Sequence, residues 1–450
     1  MDKKFYKQAA ALAIPIALQN LLTSCASLID TAMVVVLGDN ATAALGVAVR
    51  WSFLLNVVCF GFCSGSATLI SQYWGAGDKS NICKTYGQAL MMSMIVVVAF
   101  ALGLALFPKT LMRVFISDPV IISLAADYAR IYAIGVVFLV FSLITCAALK
   151  ATARIYVPLI SSATAVVVNT FLNYCLINGN FGFPKLEIRG AAIATVIGLV
   201  VQALIVLLFV CFGKTDISTS VKNIIKVDKE LTKKYLKISA PVIFNESMWA
   251  IGTNIYVMVL ARQGTEYYSG YTIFDTVQQL FFVFFVGISN ACAVMVGASV
   301  GKGESELAYK NAKRFAIMTP LAGVILGLLS IVLRNPILSL MSIETELART
   351  TASTLLLIYG CCLGIRMVQY TMICGVFRAG GDTKTGFKYD MLSLYCISIP
   401  AVILAGFAFD TPFVLIVAIM FLAEDVPKSI LCIRHFKSRK WIIKLTDEKR

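Results

Sequence analysis

Long apolar runs alternate along the chain with short clusters of charge, Gly and Pro. Six runs lie near residues 10–37, 43–73, 85–107, 121–149, 155–177 and 190–213. Six more lie near 238–261, 267–299, 311–333, 348–377, 387–408 and 412–434. Each is long enough for the ~20 residues that carry a helix across a bilayer. A helix satisfies its own backbone hydrogen bonds where no water can. The pattern therefore predicts an all-α polytopic membrane protein of about twelve transmembrane helices.

The two sets of six repeat each other. At an offset of 226, Pro15 matches Pro241, Gly38 matches Gly264, Gly61 matches Gly287, and Gly75 and Gly77 match Gly301 and Gly303. Lys7 and Lys84 match Lys233 and Lys310. Further on, at an offset of 228, Pro108 pairs with Pro336 and Lys150 with Arg378. Apolar coincidences are cheap in such a chain, whereas co-registered Pro, Gly and Lys are not. Six spans per half is an even number, so both halves insert the same way and form a parallel repeat. The expected organisation is an N-lobe over 1–213, a basic linker over 214–237, a C-lobe over 238–434 and a basic tail over 435–450.

Charge sets the orientation. Of the 39 Lys and Arg residues, 29 fall in the segments that share a side with the N-terminus. Seven fall on the other side, and Arg50, Arg130 and Arg366 lie within spans. The positive-inside rule then makes both termini cytoplasmic. The expected location is the inner (plasma) membrane, with the run from Ala9 to Gly38 as a retained first span rather than a cleaved leader. The net charge of +15 is accounted for by these segments, so it is no sign of a nucleic-acid partner.

Composition narrows the chemistry. With 59% hydrophobic and 14% charged residues, a water-soluble enzyme is excluded. The thirteen Cys are odd in number and mostly sit in apolar runs, as small buried side chains do. The only His is His435, which leaves no basis for a His-ligated metal. The stretch GASVGKG from Gly297 to Gly303 lacks the spacing and the Ser or Thr of a phosphate-binding loop, and reads as a helix end and turn. The chain is expected not to be an enzyme, to need no cofactor, and to draw any driving force from an ion gradient. A membrane-embedded lipid-modifying enzyme stays open as an alternative.

Charge in mid-membrane costs roughly 2.5–3.5 kcal/mol on insertion scales, so acids inside spans are the candidates. Asp30 lies in SLIDTAM, ~22 Å along the span from Pro15; it could also lie in the outer interface. Glu246 follows Asn245 in PVIFNES, and could snorkel or pair with Arg366. Asp275 lies in span eight beside Gln278 and Gln279, and could pair with Arg50 or close a helix–helix hydrogen bond. Asn169 and Asn173 are four apart and share a helix face, and Thr195 lies in the next span. With Asp30 they would make an all-oxygen set suited to Na⁺. A carboxylate out of water could equally carry a proton, and the Asn pair alone is also common helix–helix glue.

The residues resemble a known family. SLIDTAM, the paired turns YWGAGDKS and SVGKGESE, the turn FRAGGDTKTG and the segment NYCLINGNFGFPKLEIRGAAIAT are similar to those of multidrug and toxic compound extrusion (MATE) transporters. The Glu in span seven resembles the NorM-like bacterial branch. The resemblance implies two V-related six-helix lobes and an antiporter that expels organic, chiefly cationic, compounds as Na⁺ or H⁺ enters. It implies a coupling-cation site at Asp30, Asn169, Asn173 and Thr195. A C-lobe cation or substrate site is implied at Glu246, with Asp275 nearby and Arg50 and Arg366 as possible charge partners. NorM-like members often carry an Asp in span ten, where this chain has Arg366 and Met367, so the C-lobe site is expected to be incomplete or replaced. The expected partners are a small-molecule substrate and the lipid bilayer, with the protein working as a monomer. A flippase of the same superfamily for a lipid-linked oligosaccharide is the alternative.

Overall fold

The computed structural model describes residues 3–213, 215–218, 228–341, 343, 345–409 and 411–447. Among the described residues it is almost wholly helical. Twelve long helices run in chain order: α1 Lys3–Val35, α2 Asp39–Ala76, α3 Lys79–Leu106, α4 Pro119–Ala151, α5 Tyr156–Asn178, α6 Glu187–Phe212, α7 Lys229–Ala261, α8 Thr265–Gly301, α9 Ser305–Ser339, α10 Glu346–Phe377, α11 Thr383–Phe407 and α12 Phe413–Lys437. Ten of them are long and apolar enough to cross a membrane. The other two, α7 and α12, are long enough but carry the densest charge, and their charged residues prove to be the informative ones. Part of the segment read as a linker, 214 and 219–227, lies outside the described residues. Its last nine residues already belong to α7.

The repeat is visible in the helix limits. α1 and α7 begin and end 226 residues apart, and the first residues of α2 and α8 and of α3 and α9 keep that spacing. The turns repeat as well. α2 ends where Gly77, at φ 75°, lets the Asp78 N–H reach back to the Tyr73 carbonyl at 3.0 Å. α8 ends likewise at Gly303, φ 81°, with the Glu304 N–H on the Ser299 carbonyl at 3.1 Å. A left-handed residue closes the last helical carbonyls in this way, and glycine adopts it at least cost. GASVGKG is thus a helix end and turn.

The chain divides into two compact units. The first comprises Leu18–Ser239. It holds most of α1 and the start of α7, where Tyr235 donates from its hydroxyl to the Phe62 carbonyl at 2.9 Å and Thr232 to Gln88 at 2.8 Å. The second comprises the residues up to Ala17 with Ala240–Arg450. There Phe5 packs edge-on against Phe315 at 5.1 Å. α1 and α7 therefore each begin in one unit and continue in the other, and the change falls beside Pro15 and Pro241. A proline inside a helix removes a backbone donor and loosens the turn before it. In the second unit, α10 ends in a π-helical segment, Thr371–Phe377, and α11 contains another, Leu392–Ser398. α4 and α5, their counterparts in the first unit, are regular. Wide turns of this kind recur at functional sites.

Candidate functional site

In the first unit, α1, α5 and α6 bring the expected residues together. Asn173 donates from Nδ2 to Asp30 Oδ1 at 2.6 Å. With the Asn169 amide turned so that its nitrogen faces the acid, Asn169 donates to the same oxygen at 2.7 Å, and its own oxygen accepts from the Thr195 N–H at 3.2 Å. Asn169 and Asn173 are 7% and 1% exposed, and Asp30 is half-buried. Asn173 Oδ1 has no hydrogen-bond partner. Tyr128 of α4, not anticipated from the sequence, is buried there and bonds to Thr195. Deeper along the same three helices, Gln19 and Gln202 both donate to Ser162 Oγ, at 3.0 and 3.2 Å. This unit thus surrounds one acid with neutral amides and hydroxyls.

The second unit is built differently. Glu246 of α7 receives Arg378 Nη2 at 2.6 Å. The expected partner, Arg366, lies twelve residues earlier, about 18 Å back along a helix at 1.5 Å per residue, and cannot serve the same acid. Arg366 instead sits 3.7 Å from Asp425 Oδ2 and over the Phe421 ring at 5.0 Å. Asp275 is held by Gln278 and Gln279 of its own helix, at 3.4 and 2.9 Å. Arg50, exposed on α2 of the other unit, makes no ion pair among the described residues.

The charges that the sequence reading passed over lie on α11 and α12. Lys428, 2% exposed, donates to Asp390 and Glu424, both at 2.8 Å. Asn245 donates to the other oxygen of Asp390 at 2.9 Å. Tyr256 bonds to Ser398 at 2.6 Å and reaches Glu424 at 3.4 Å. Gln369 donates to Asp425 Oδ1 at 3.2 Å. The signal was available: FLAEDVPKSIL sets three charges in the middle of the last apolar run, with Glu424 and Lys428 four apart on one face. Lys428 and Arg378 were counted among cytoplasmic flanking charges, but both are buried ion-pair members. The basic bias of those segments survives their removal. Span ten carries no acid near Arg366, and the acids around Arg366 and Lys428 come from α11 and α12.

Twelve helices in two repeated sets, with ionisable groups at mid-span, define a polytopic membrane transporter rather than an enzyme. The MatE family model matches residues 15–175 and again 241–404, one match per repeat, and the chain belongs to that family. It is 26% identical over 403 residues to the probable multidrug resistance protein YoeA of Bacillus subtilis (strain 168), covering 88% of this chain and 86% of the relative. It is 23% identical over 436 residues to the probable multidrug resistance protein NorM of Thermotoga maritima, covering 97% and 93%. A solved mutant of the Vibrio cholerae MATE transporter VcmN superposes with a TM-score of 0.88 at 19% identity, over 98% of both chains.

Proposed function

We propose that this chain is a cation-coupled antiporter that exports organic, chiefly cationic, compounds by alternating access, with both termini in the cytoplasm. The observation that carries the reading is the Asp30 cluster. A carboxylate from α1 meets two amides from α5, with Thr195 of α6 behind them. An incoming Na⁺ would take Asp30 together with amide oxygens, of which Asn173 Oδ1 is already free of hydrogen bonds. An incoming proton would take the carboxylate alone. Either neutralises Asp30, weakens its hold on α5 and lets α1 repack around Pro15. Each charge moved inward gains about 2.3 kcal/mol per 100 mV. In the second unit Glu246 is neutralised by Arg378. Asp275, bonded among the described residues only to glutamines of its own helix, is the acid left to attract a cationic substrate.

Purified protein in lipid vesicles tests this, with a pH gradient and a Na⁺ gradient imposed separately. One of the two gradients should drive release of a preloaded fluorescent cation. Asp30→Asn, at equal incorporation, should abolish it. Undiminished release by Asp30→Asn would sink the mechanism.

A further inference from the structure

The ion cluster of the second unit occupies the place, in the repeat, of the neutral one in the first. An advance of 226 takes Gln19 to Asn245, an advance of 228 takes Ser162 to Asp390, and an advance of 226, the spacing of the first residues of α6 and α12, takes Gln202 to Lys428. The first three form a hydrogen-bonded set and so do the second three. Asp30 maps onto Tyr256, and Gly198 and Leu199 onto Glu424 and Asp425. At the positions of Asp390, Lys428, Glu424 and Asp425 the scaffold of the first unit therefore packs without any charge. The second unit has charges there that the fold itself does not require.

Those charges do not balance. Asp390, Glu424 and Asp425 supply three carboxylates, while Lys428 and Arg366 supply two cations. Lys428 serves Asp390 and Glu424 at hydrogen-bonding distance. Arg366 approaches Asp425 only to 3.7 Å, and Asp425 Oδ2 accepts no hydrogen bond although the residue is 1% exposed. Tyr359 of α10 is fully buried within electrostatic reach of Asp425 and Arg366, and its hydroxyl is also unpartnered.

Arg378, within electrostatic reach of Asp390, is matched by Glu246, and the remaining neighbours do not supply the missing positive charge. From α10, Cys362 faces Asp425. From α7, Tyr256 faces Glu424 and Lys428. From α8, the charge within reach of Arg366 is Asp275, another acid. A buried carboxylate oxygen with no hydrogen bond, in a cluster with one acid more than its cations, is expensive, and the excess charge is removed by protonation.

We propose that Asp425 is a proton-binding site of the second unit, distinct from the Asp30 site and from the Glu246–Arg378 pair. The proton sits on Oδ2, which turns an orphaned acceptor into a donor, and brings the cluster to neutrality. Arg366 at 3.7 Å disfavours a metal cation at that oxygen, which would place two positive charges together. A proton simply cancels the acid. The site goes beyond the transport reading, because it requires no particular coupling ion at Asp30.

Infrared difference spectroscopy tests it, on the full chain in lipid vesicles titrated from acid to alkaline pH. A protonated-carboxyl C=O band that disappears as pH rises should appear in the wild type, persist in Asp30→Asn, disappear at lower pH in Glu424→Gln, where carboxylates and cations are equal in number, and be lost in Asp425→Asn. The proposal is overturned if the wild type shows no such band, or if Asp425→Asn shows the wild-type titration. Removal of the band by Na⁺ at constant acid pH would also overturn it, since the site would then take a metal cation. Should Asp425→Asn fail to fold, Asp425→Glu keeps the acid and should shift both the band and its midpoint; an unshifted band is equally fatal. Vesicle release by Asp30→Asn uses none of these bands, so failure of the transport reading is seen separately.

Discussion

At the crossing of α1, α5 and α6, the first unit joins Gln19, Ser162 and Gln202. At the crossing of α7, α11 and α12, the second joins Asn245, Asp390 and Lys428. The backbone solution is the same and the chemistry is not. One is a neutral hydrogen-bonded knot beside a single acid; the other is the centre of a five-charge cluster. A nearby position repeats the contrast. Glu246 and Arg378 form a largely buried ion pair, whereas their counterparts are Asn20 and Lys150, and Lys150 has the thiols of Cys63 and Cys146 within electrostatic reach. Repetition fixed where helices cross, and the two copies then specialised at the crossings.

The largest test of this contrast is Lys428→Met. It strands two buried carboxylates and should cost about 3–5 kcal/mol, as does removal of one partner of a buried ion pair. Gln202→Met at the counterpart position loses one neutral hydrogen bond, about 0.6 kcal/mol inside a membrane protein. Thermal unfolding of both variants in the same detergent checks the pair; equal losses would erase the distinction between the units.

Glu246→Gln comes next. It removes the carboxylate to which buried Arg378 donates, at a cost of about 3 kcal/mol, and Glu246→Gln with Arg378→Met should recover most of that loss. A double variant no more stable than the single one would show that the pair contributes nothing as a pair. Asn173→Ala removes one donor to Asp30 and should cost only about 1–2 kcal/mol of stability, while reducing gradient-driven release as far as Asp30→Asn does. Release near the wild-type rate would confine the role of Asn173 to packing. Arg50→Gln, on an exposed side chain without an ion pair, should stay within about 0.5 kcal/mol of the wild type and leave release unchanged.

The twelve helices and the repeat were legible because hydrocarbon forces apolar runs and because Gly and Pro mark the same turns twice. The Asp30 cluster was legible because an acid amid aliphatic residues stands out and Asn169 and Asn173 share one face. The charges of α11 and α12 were not singled out for the opposite reason. A Lys four residues from a Glu in the second half of the last span reads as flanking charge, and only the packing of α7, α10 and α11 around it shows that it is enclosed. Pairing across helices is not written in local spacing, so Arg366 stands in the sequence as a possible partner for Glu246 when Arg378 holds that position. The π-helical segments of α10 and α11 left no mark in the sequence pattern.

Both units are completed by a piece from the other half of the chain: the first by residues 229–239, the second by the residues up to Ala17. A cut at the chain's midpoint would therefore yield two fragments, neither holding a whole unit. Each repeat lends its leading half-helix to the other, which is the arrangement of a domain-swapped pair held in one polypeptide.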